Sequence, residues 1–594
     1  MSEVCVELVG KLVEEMLGLS KEELSPSDNL ISLGLGSLDI MRIAGLLTKN
    51  GCNVTFSELV SNPCMASWVN FARERSARSS SNGSPLLGSA NYSKGDPFPI
   101  TSVQHAYMVG RRDGQELGGT ACHAYMEFEC GSLDAAKLER AVELLILRHP
   151  MLRARFSDDG TARIEDKVTW KGLTTYRVEG AGNPDSRIEG IRQELSHLRF
   201  DIEQDDLIDV RLTVVSPKRT IMHINVDLLA ADVLSIQVLL EDLAHLYDGT
   251  DLAPIEIDFM EYARRTGIGE DARNEDREYW LNRIDNMPGG PSLPLKAPME
   301  SVKRSQFTRM EYLIDSKSWK NFTEKGRQIG VTQSMGIAAV YAKALSRWSE
   351  DKKFLLNLPL FNRKPIHPDV DKIVSDFTSL ILLEADCANA ISLLELASQM
   401  QGRFQQDVAH SSFGAVEVLR ELSHRCPNDP KKAPVVFASN IGTQFISNKV
   451  EDVFGPLSKM LAETPQVLLD HQIYDHKNGL LLAWDYVSEL LDDKIAKQMF
   501  EAYCTAVRFY CENDWSEPFP DLLPPSQRAA RAEANSEGAD LGGGTLHGRF
   551  FARAQAEPDA PALRWGADGE ATYGELAGRA LRIAGGLAAA GVGE

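Results

Sequence analysis

The chain has 594 residues, of which 43% are hydrophobic and 25% charged, too long for one hydrophobic core, so about three to five units of roughly 100–200 residues each are expected. A formal net charge of −22 sets up a field that repels polyphosphate and anionic lipid, which excludes nucleic acid and membrane surfaces as expected partners. Nine scattered cysteines without a CxxC pair argue against a zinc or redox centre and for reduced thiols.

In chain order, the opening MSEVCVELVGKLVEEM lacks the basic flank and unbroken apolar run of an export signal. No stretch approaches the roughly 18 apolar residues of a membrane span, so a cytoplasmic location is expected. Residues 1–76 carry apolar positions at helical spacing: Leu8, Val9, Leu12, Val13 and Met16, then Ile40, Ile43 and Leu47, then Trp68 and Phe71. The pattern predicts a small helical bundle. Ser37 stands at a glycine-flanked loop-to-helix junction, where backbone N–H groups and the helix dipole favour an attached phosphate; the alternative is an ordinary N-cap. Residues 77–96, rich in Ser, Gly and Asn, read as a flexible linker.

Across 97–521, helical patterns such as KLERAVELLILRHPML alternate with strand-like runs such as TIMHINVDLL and APVVFASN. The apolar runs are separated by helices, not by tight hairpins, which predicts an α/β region. Its length predicts two lobes, about 97–270 and 271–521, with a cleft between them as the default site. A linker at 522–545 leads to an α/β-like tail, 546–594, too short to be a domain. His105, His149 and His223 lie among apolar neighbours and read as satisfied core or interface histidines.

Residues 1–76 resemble a peptidyl or aryl carrier protein: a first helix, a long loop, GLGSL (34–38), then a second helix. That resemblance implies 4'-phosphopantetheine on Ser37, attached by a phosphopantetheinyl transferase. The family usually has Asp before the modified serine; Gly36 stands there in this chain. Residues 97–521 resemble heterocyclization domains, the cyclising relatives of condensation domains. The motifs run in matching order: FPITSVQHAYMVGR (98–111), RHPMLRARF (148–156), DLLAAD (227–232), MPGGPSLPL (287–295), SDFTSLILLE (375–384), APVVFASNIG (433–442) and TPQVLLDHQ (464–472). This implies a two-lobed, chloramphenicol-acetyltransferase-like fold. The set is most similar to the first synthetases of pyochelin- and yersiniabactin-type siderophore pathways.

Condensation domains carry HHxxxDG at the cleft; here Asp227 and Asp232 stand in its place. They read either as an acid–base pair whose pKa values burial and like charge drive apart, or as carboxylates held by arginine that shape the site. By resemblance Arg363 partners Asp232. The resemblance also makes Asp470 the candidate for cyclodehydration, with an ion pair or helix-end contact, helped by His471, as the alternative. It usually works with a Thr in PVVFTS, but here Ala438 holds that position, leaving either Ser439, which in a strand faces the other way, or Asp470 alone. Tyr107, Thr378 and Gln466 are expected to line the site, although Thr378 and Ser379 fit strand packing equally well.

The tail resembles the start of an adenylation domain, with ATYGEL in its first core motif and without the ATP loop. A carrier with no loading domain implies loading in trans by a stand-alone aryl-acid (salicylate) AMP ligase. The acceptor is then a Cys, Ser or Thr on a downstream peptidyl carrier domain, condensed and closed to a thiazoline or oxazoline. The rival readings are an amide-forming condensation domain and a non-catalytic scaffold.

Overall fold

The computed structural model describes residues 95–178, 183–266, 270–361, 363–426, 431–536, 545–565 and 569–592, with 2–17, 24–33, 62–76 and some single positions of the first 76. They form two compact units, Met1–Leu522 and Leu523–Glu594.

Within the first 76 residues the helices Ser2–Leu17, Leu30–Leu33 and Met65–Ser76 are described. Val9, Val13, Leu30, Ile40, Leu47 and Trp68 are buried together, and the Trp68 indole donates to the Leu59 carbonyl at 2.8 Å. Ser37 and Gly36 lie outside the described residues.

Two sheets build the large region. One has the order β12 (Leu457–Glu463), β2 (His123–Cys130), β7 (Arg219–Asp227), β6 (Ile208–Ser216), β5 (Thr174–Arg177). The other runs β10 (Thr378–Asp386), β9 (Lys353–Phe361), β11 (Val435–Gln444), β13 (Leu469–His476), β14 (Gly479–Val487), β8 (Phe307–Asp315). A small sheet adds β1 (Phe98–Pro99), β4 (Thr161–Ile164) and β3 (Ala154–Ser157). Among the described residues only β5–β6, β9–β11 and β11–β13 are parallel. The rest pair antiparallel, several through tight turns: Pro217-Lys218 joins β6 to β7, and Lys477-Asn478 joins β13 to β14. The expectation of helix-separated strands is corrected accordingly, since short polar turns close these hairpins. At the β13–β14 turn Gly479 has φ 139°, and a Cβ there would meet the Ile314 carbonyl oxygen at 1.9 Å. Only glycine fits.

Most helices start on a side chain that accepts an otherwise unpaired N–H. Asp134, Asp232, Asp315, Thr332, Ser392 and Asp492 are such caps, and Thr101 with Gln104 makes a full capping box. The helix Gln333–Trp348 is small-residue-rich and buried along most of its length, so it lies against the second sheet and the helices Leu393–Ala409 and Asp493–Glu512. Large aromatics Tyr341, Trp484 and Tyr503 fill that layer.

The lobes do not divide at one point in sequence. Strand β12, from the second half, pairs antiparallel with β2, placing Met460 opposite Met126 and Glu463 opposite His123. The helix Asn448–Phe454 goes with it and packs on Val233–Tyr247.

The unit Leu523–Glu594 has the helix Pro525–Ser536, which buries no side chain, then the helices Leu546–Ala556 and Tyr573–Ala589, which pack together, Tyr573–Ala589 also against the hairpin β15 (Pro561–Trp565) and β16 (Gly569–Thr572). Leu581, Ile583 and Leu587 stay exposed on its last helix. No helix among the described residues is long and apolar enough to cross a membrane.

Candidate functional site

A cavity of about 540 Å³ opens between the two sheets. The ends of β9, β11 and β13, the turn after β7 and the loop before β10 wall it.

Asp470 is the second residue of β13, pairing with Val436 on β11 and Asp485 on β14. It is 5% exposed and lines the cavity. Its Oδ2 accepts from the Gln472 amide at 2.6 Å, and its Oδ1 has no hydrogen-bond partner. Burial, reinforced by the Asp485 carboxylate, pushes its pKa up to about 7, against the Gln472 hydrogen bond and the more distant Arg309. A carboxyl poised there exchanges protons at neutral pH. Gln472 is held in turn: its Oε1 accepts from Arg309 at 3.0 Å and from the Tyr474 hydroxyl. Arg309 is itself paired with buried Asp485. Gln472 lies within TPQVLLDHQ and Tyr474 just beyond it, whereas Arg309 sits on β8, remote in sequence, and none of the three was anticipated as a support.

The neighbours predicted for Asp470 do not join it. Strand alternation turns Ser439 to the opposite face of β11, where its hydroxyl meets that of Ser334 at 2.7 Å. Ser439 lines a separate cavity of about 360 Å³, which corrects its pairing with Asp470. His471 also points away: its ring bonds the Ala483 carbonyl (3.0 Å) and the Tyr503 hydroxyl (2.7 Å), and burial lowers its pKa to about 3. Ala438 faces the cavity.

Asp227 and Asp232 part company. Asp227 is fully buried and receives two hydrogen bonds from Arg111, at 3.1 and 2.6 Å, with a third from the Leu229 N–H at 3.0 Å. It does not line the cavity, and a carboxylate so paired holds the turn after β7 in shape; this corrects its assignment to catalysis. Asp232 does line the cavity. Its Oδ1 caps the Val233–Tyr247 helix, accepting from Ser235 N–H at 2.7 Å, and also receives Arg363 at 2.9 Å. Arg363 bonds Ser235 Oγ and the Ile373 carbonyl, both at 2.9 Å, and stacks over Phe377. Cap and ion pair thus both fall on Oδ1 and anchor Asp232 at the cavity wall, while its buried Oδ2 has no hydrogen-bond partner.

Tyr107, Thr378 and Gln466 line the same cavity. Burial, then the titratable neighbours Cys122, Asp376, Asp470 and Asp232, raise the Tyr107 phenol well above its usual value, so it acts as a neutral hydroxyl. Gln466 is held at φ 64°, its N–H bonded at 2.7 Å to the carbonyl of Leu117, itself at φ 51°. Two non-glycine residues in the left-handed region braced on one another fix this wall. Ser379 points out of the cavity, its hydroxyl towards the Leu360 carbonyl.

One cavity residue escaped sequence reasoning. Asp376, 1% exposed, has Oδ1 bonded to the Thr378 N–H at 3.0 Å and Oδ2 without a partner. Burial raises its pKa to about 7, aided by Asp232 and opposed by hydrogen bonds from Thr378. It lies within SDFTSL, where the hydroxyl residues drew attention and the acid did not.

The other histidines behave variously. His223 is buried between Tyr125 and Thr213 hydroxyls at 2.8 Å, and burial lowers its pKa to about 4. His149 bonds Asp242 at 2.9 Å. His105 is exposed, which corrects the expectation of a core position, because its helix turns that face to solvent. No cluster able to hold a metal occurs among the described residues.

Comparison with known proteins follows the same division of the chain. Residues 98–513 match the condensation domain family and residues 7–72 the phosphopantetheine attachment site. The phenyloxazoline synthase MbtB of Mycobacterium tuberculosis is 35% identical over 600 residues, covering 99% of this chain and 42% of that protein. The pyochelin synthetase PchE of Pseudomonas aeruginosa is 35% identical over 600 residues, covering 100% and 41%. The chain thus spans half or less of the length of these curated relatives. Among solved structures, the EpoB cyclization-docking bidomain of Sorangium cellulosum superposes with a TM-score of 0.66 at 30% identity, covering 71% of this chain and 87% of that one. The nonribosomal peptide synthetase FmoA3 superposes with a TM-score of 0.68 at 30% identity, covering 86% and 55%.

Proposed function

The chain belongs to the condensation-domain family, with a phosphopantetheine attachment site ahead of that domain, and on this premise we propose that it is the cyclising part of a siderophore-type nonribosomal peptide synthetase. It condenses an acyl group carried on Ser37 with an amino-acyl thioester from a downstream carrier and closes the product to a thiazoline or oxazoline. The observation that carries this reading is Asp470, buried in the interlobe cavity with a free oxygen and a pKa near 7. The relatives that are a phenyloxazoline synthase and a pyochelin synthetase, and the likeness to a cyclization domain, support it.

A phosphopantetheine arm would supply the thiol that holds the acyl group as a thioester and the reach to bring that thioester into the cavity. The 360 Å³ cavity shares Pro359 and Phe361 with the larger one, and the helix Ser316–Gln328 that borders it touches Leu30–Leu33 of the attachment span. Holding both reactants in one enclosed space supplies proximity worth about 7–11 kcal/mol of barrier. Asp470 then moves protons during ring closure and loss of water, oriented by Gln472 and, through it, by Arg309. Asp232 with Arg363, and Asp227 with Arg111, keep the turn after β7 in place without touching substrate.

The finer reading is that the cargo is salicylate, delivered by a stand-alone aryl-acid AMP ligase, that a phosphopantetheinyl transferase modifies Ser37, and that 546–594 opens an adenylation domain. Intact mass after incubation with coenzyme A and a phosphopantetheinyl transferase tests the first requirement: the chain gains one phosphopantetheine, and Ser37→Ala abolishes the gain. The loaded chain, given a cysteinyl carrier, is expected to yield a thiazoline. Asp470→Asn is expected to lower ring formation by roughly 100-fold or more while acyclic amide accumulates; ring yield equal to the parent refutes the assignment.

A further inference from the structure

Ring closure needs two proton-exchanging groups, because one proton must leave the nucleophile while another reaches the carbonyl oxygen. Asp470 supplies one. The position from which related domains present a hydroxyl is Ala438, and Ser439 is turned away to Ser334, so the second group must come from elsewhere in the cavity.

Asp376 meets the need on geometry. It lines the cavity from the loop entering β10, is 1% exposed, and leaves Oδ2 without a partner. A buried carboxyl oxygen left open is costly in a folded protein and calls for a use. Its structural hydrogen bond, from the Thr378 N–H, uses Oδ1 only, and the turn beside it is held by Asp232, Arg363, Ser235 and the Ser375 backbone. Among the described residues no cation pairs with it, unlike Asp227, Asp232 and Asp485. Tyr107 lies in the field of both Asp376 and Asp470, so the two carboxyls address the same space.

We propose that Asp376 is a second catalytic residue of ring closure, the acid–base partner of Asp470. The inference rests on the function proposed above. One of the pair enters protonated and the other ionised. The side-chain sulfur or oxygen of the new amino-acyl residue bonds to the amide carbon, and the carbonyl π bond breaks. Its oxygen takes the proton of the protonated carboxyl, while the ionised carboxyl takes the thiol or hydroxyl proton. In the second step that newly protonated carboxyl protonates the departing hydroxyl, and the C–O bond breaks to release water. The carboxyl emptied in the first step removes the amide N–H proton as the C=N bond forms. Both carboxyls return to their starting states, and no further reactant is consumed.

The test uses the full chain, loaded on its carrier and supplied with a cysteinyl carrier, with amide and thiazoline separated by mass. Asp376→Asn is expected to cut thiazoline formation by about 100-fold or more, with acyclic amide accumulating, and Asp376→Glu to recover part of it. Thiazoline at the parental rate, or loss of amide and thiazoline together, overturns the inference. If Asp376→Asn does not fold, Asp376→Ser, which also removes the carboxyl, carries the same test: slowed ring closure with accumulating amide supports the proposal, and unchanged or jointly lost products overturn it. Thiazoline from the parent with no effect of Asp376 refutes this inference alone; no thiazoline from the parent refutes the proposed function as well.

Discussion

Two carboxyls with the same chemistry as dozens of others in the chain are set apart by burial without an arginine partner of their own. The pKa values of Asp470 and Asp376 are pushed up to about 7, well above the ordinary aspartate value of 3.8, because the cavity wall strips water from the charged form and neither faces its own arginine. The sign for stability follows. Below about pH 4 the carboxyl is protonated whether the chain is folded or not, so nothing is lost on folding. Between 4 and 7 the folded chain holds a proton that the unfolded chain releases, so stability falls as pH rises through that window. Asp470→Asn removes the titration, and its melting temperature is expected to exceed the parent's by more at pH 8 than at pH 5; an equal difference at both values rejects the raised pKa. Ser439 yields the opposite expectation. Its hydroxyl serves Ser334 on the far face of β11, so Ser439→Ala is expected to leave the ring-to-amide product ratio unchanged and to cost about 1 kcal/mol in a denaturant melt.

At the scale of elements, local rules explain much of the chain and long-range partners decide the rest. Asp232 shows both at once. As the cap of the Val233–Tyr247 helix it follows from DLLAADVLSIQ, whereas its bond to Arg363 joins positions 131 residues apart. Asp227, five residues earlier, caps nothing and relies on Arg111 from the helix Ser102–Gly110 and its C-terminal turn. Arg111→Leu leaves that carboxylate buried and unpaired, and is expected to cost roughly 3–5 kcal/mol in a urea melt. Adding Asp227→Asn to it should recover part of the loss, since a neutral amide is cheaper to bury. A cost below 1 kcal/mol would show that the pair is not what holds the turn. The hairpins β6–β7 and β13–β14 were marked by Pro217-Lys218 and Lys477-Asn478-Gly479, but apolar runs on either side read as helix-separated strands, because periodicity alone does not report how a run pairs.

For the molecule as a whole, the exchange of β12 into the first sheet matters most. It ties the second half of the chain to β2 along six residue pairs, so the two sheets that wall the cavity cannot part without breaking a ladder. Hydrogen–deuterium exchange is expected to show β12 opening with β2 and β7, and not with its sequence neighbour β13; separate opening of β12 would mean that the strand is a loose latch. Asp470 on β13 and Asp376 in the loop before β10 both face the space between those sheets.

The sequence by itself determined the order of parts: a carrier-like segment, a two-lobed α/β region with cyclising motifs, and a short tail, because periodicity and motif order are local properties of the chain. Asp470 was legible for the same reason, as one position in a recognisable string. Tertiary structure alone decided which acids do which work. It placed Arg111 on Asp227, left Asp376 with an open oxygen, and turned Ser439 and His471 away from the cavity. The reason is physical: a carboxyl's role depends on the dielectric and the charges around it, and those arrive from strands and helices tens to hundreds of residues away.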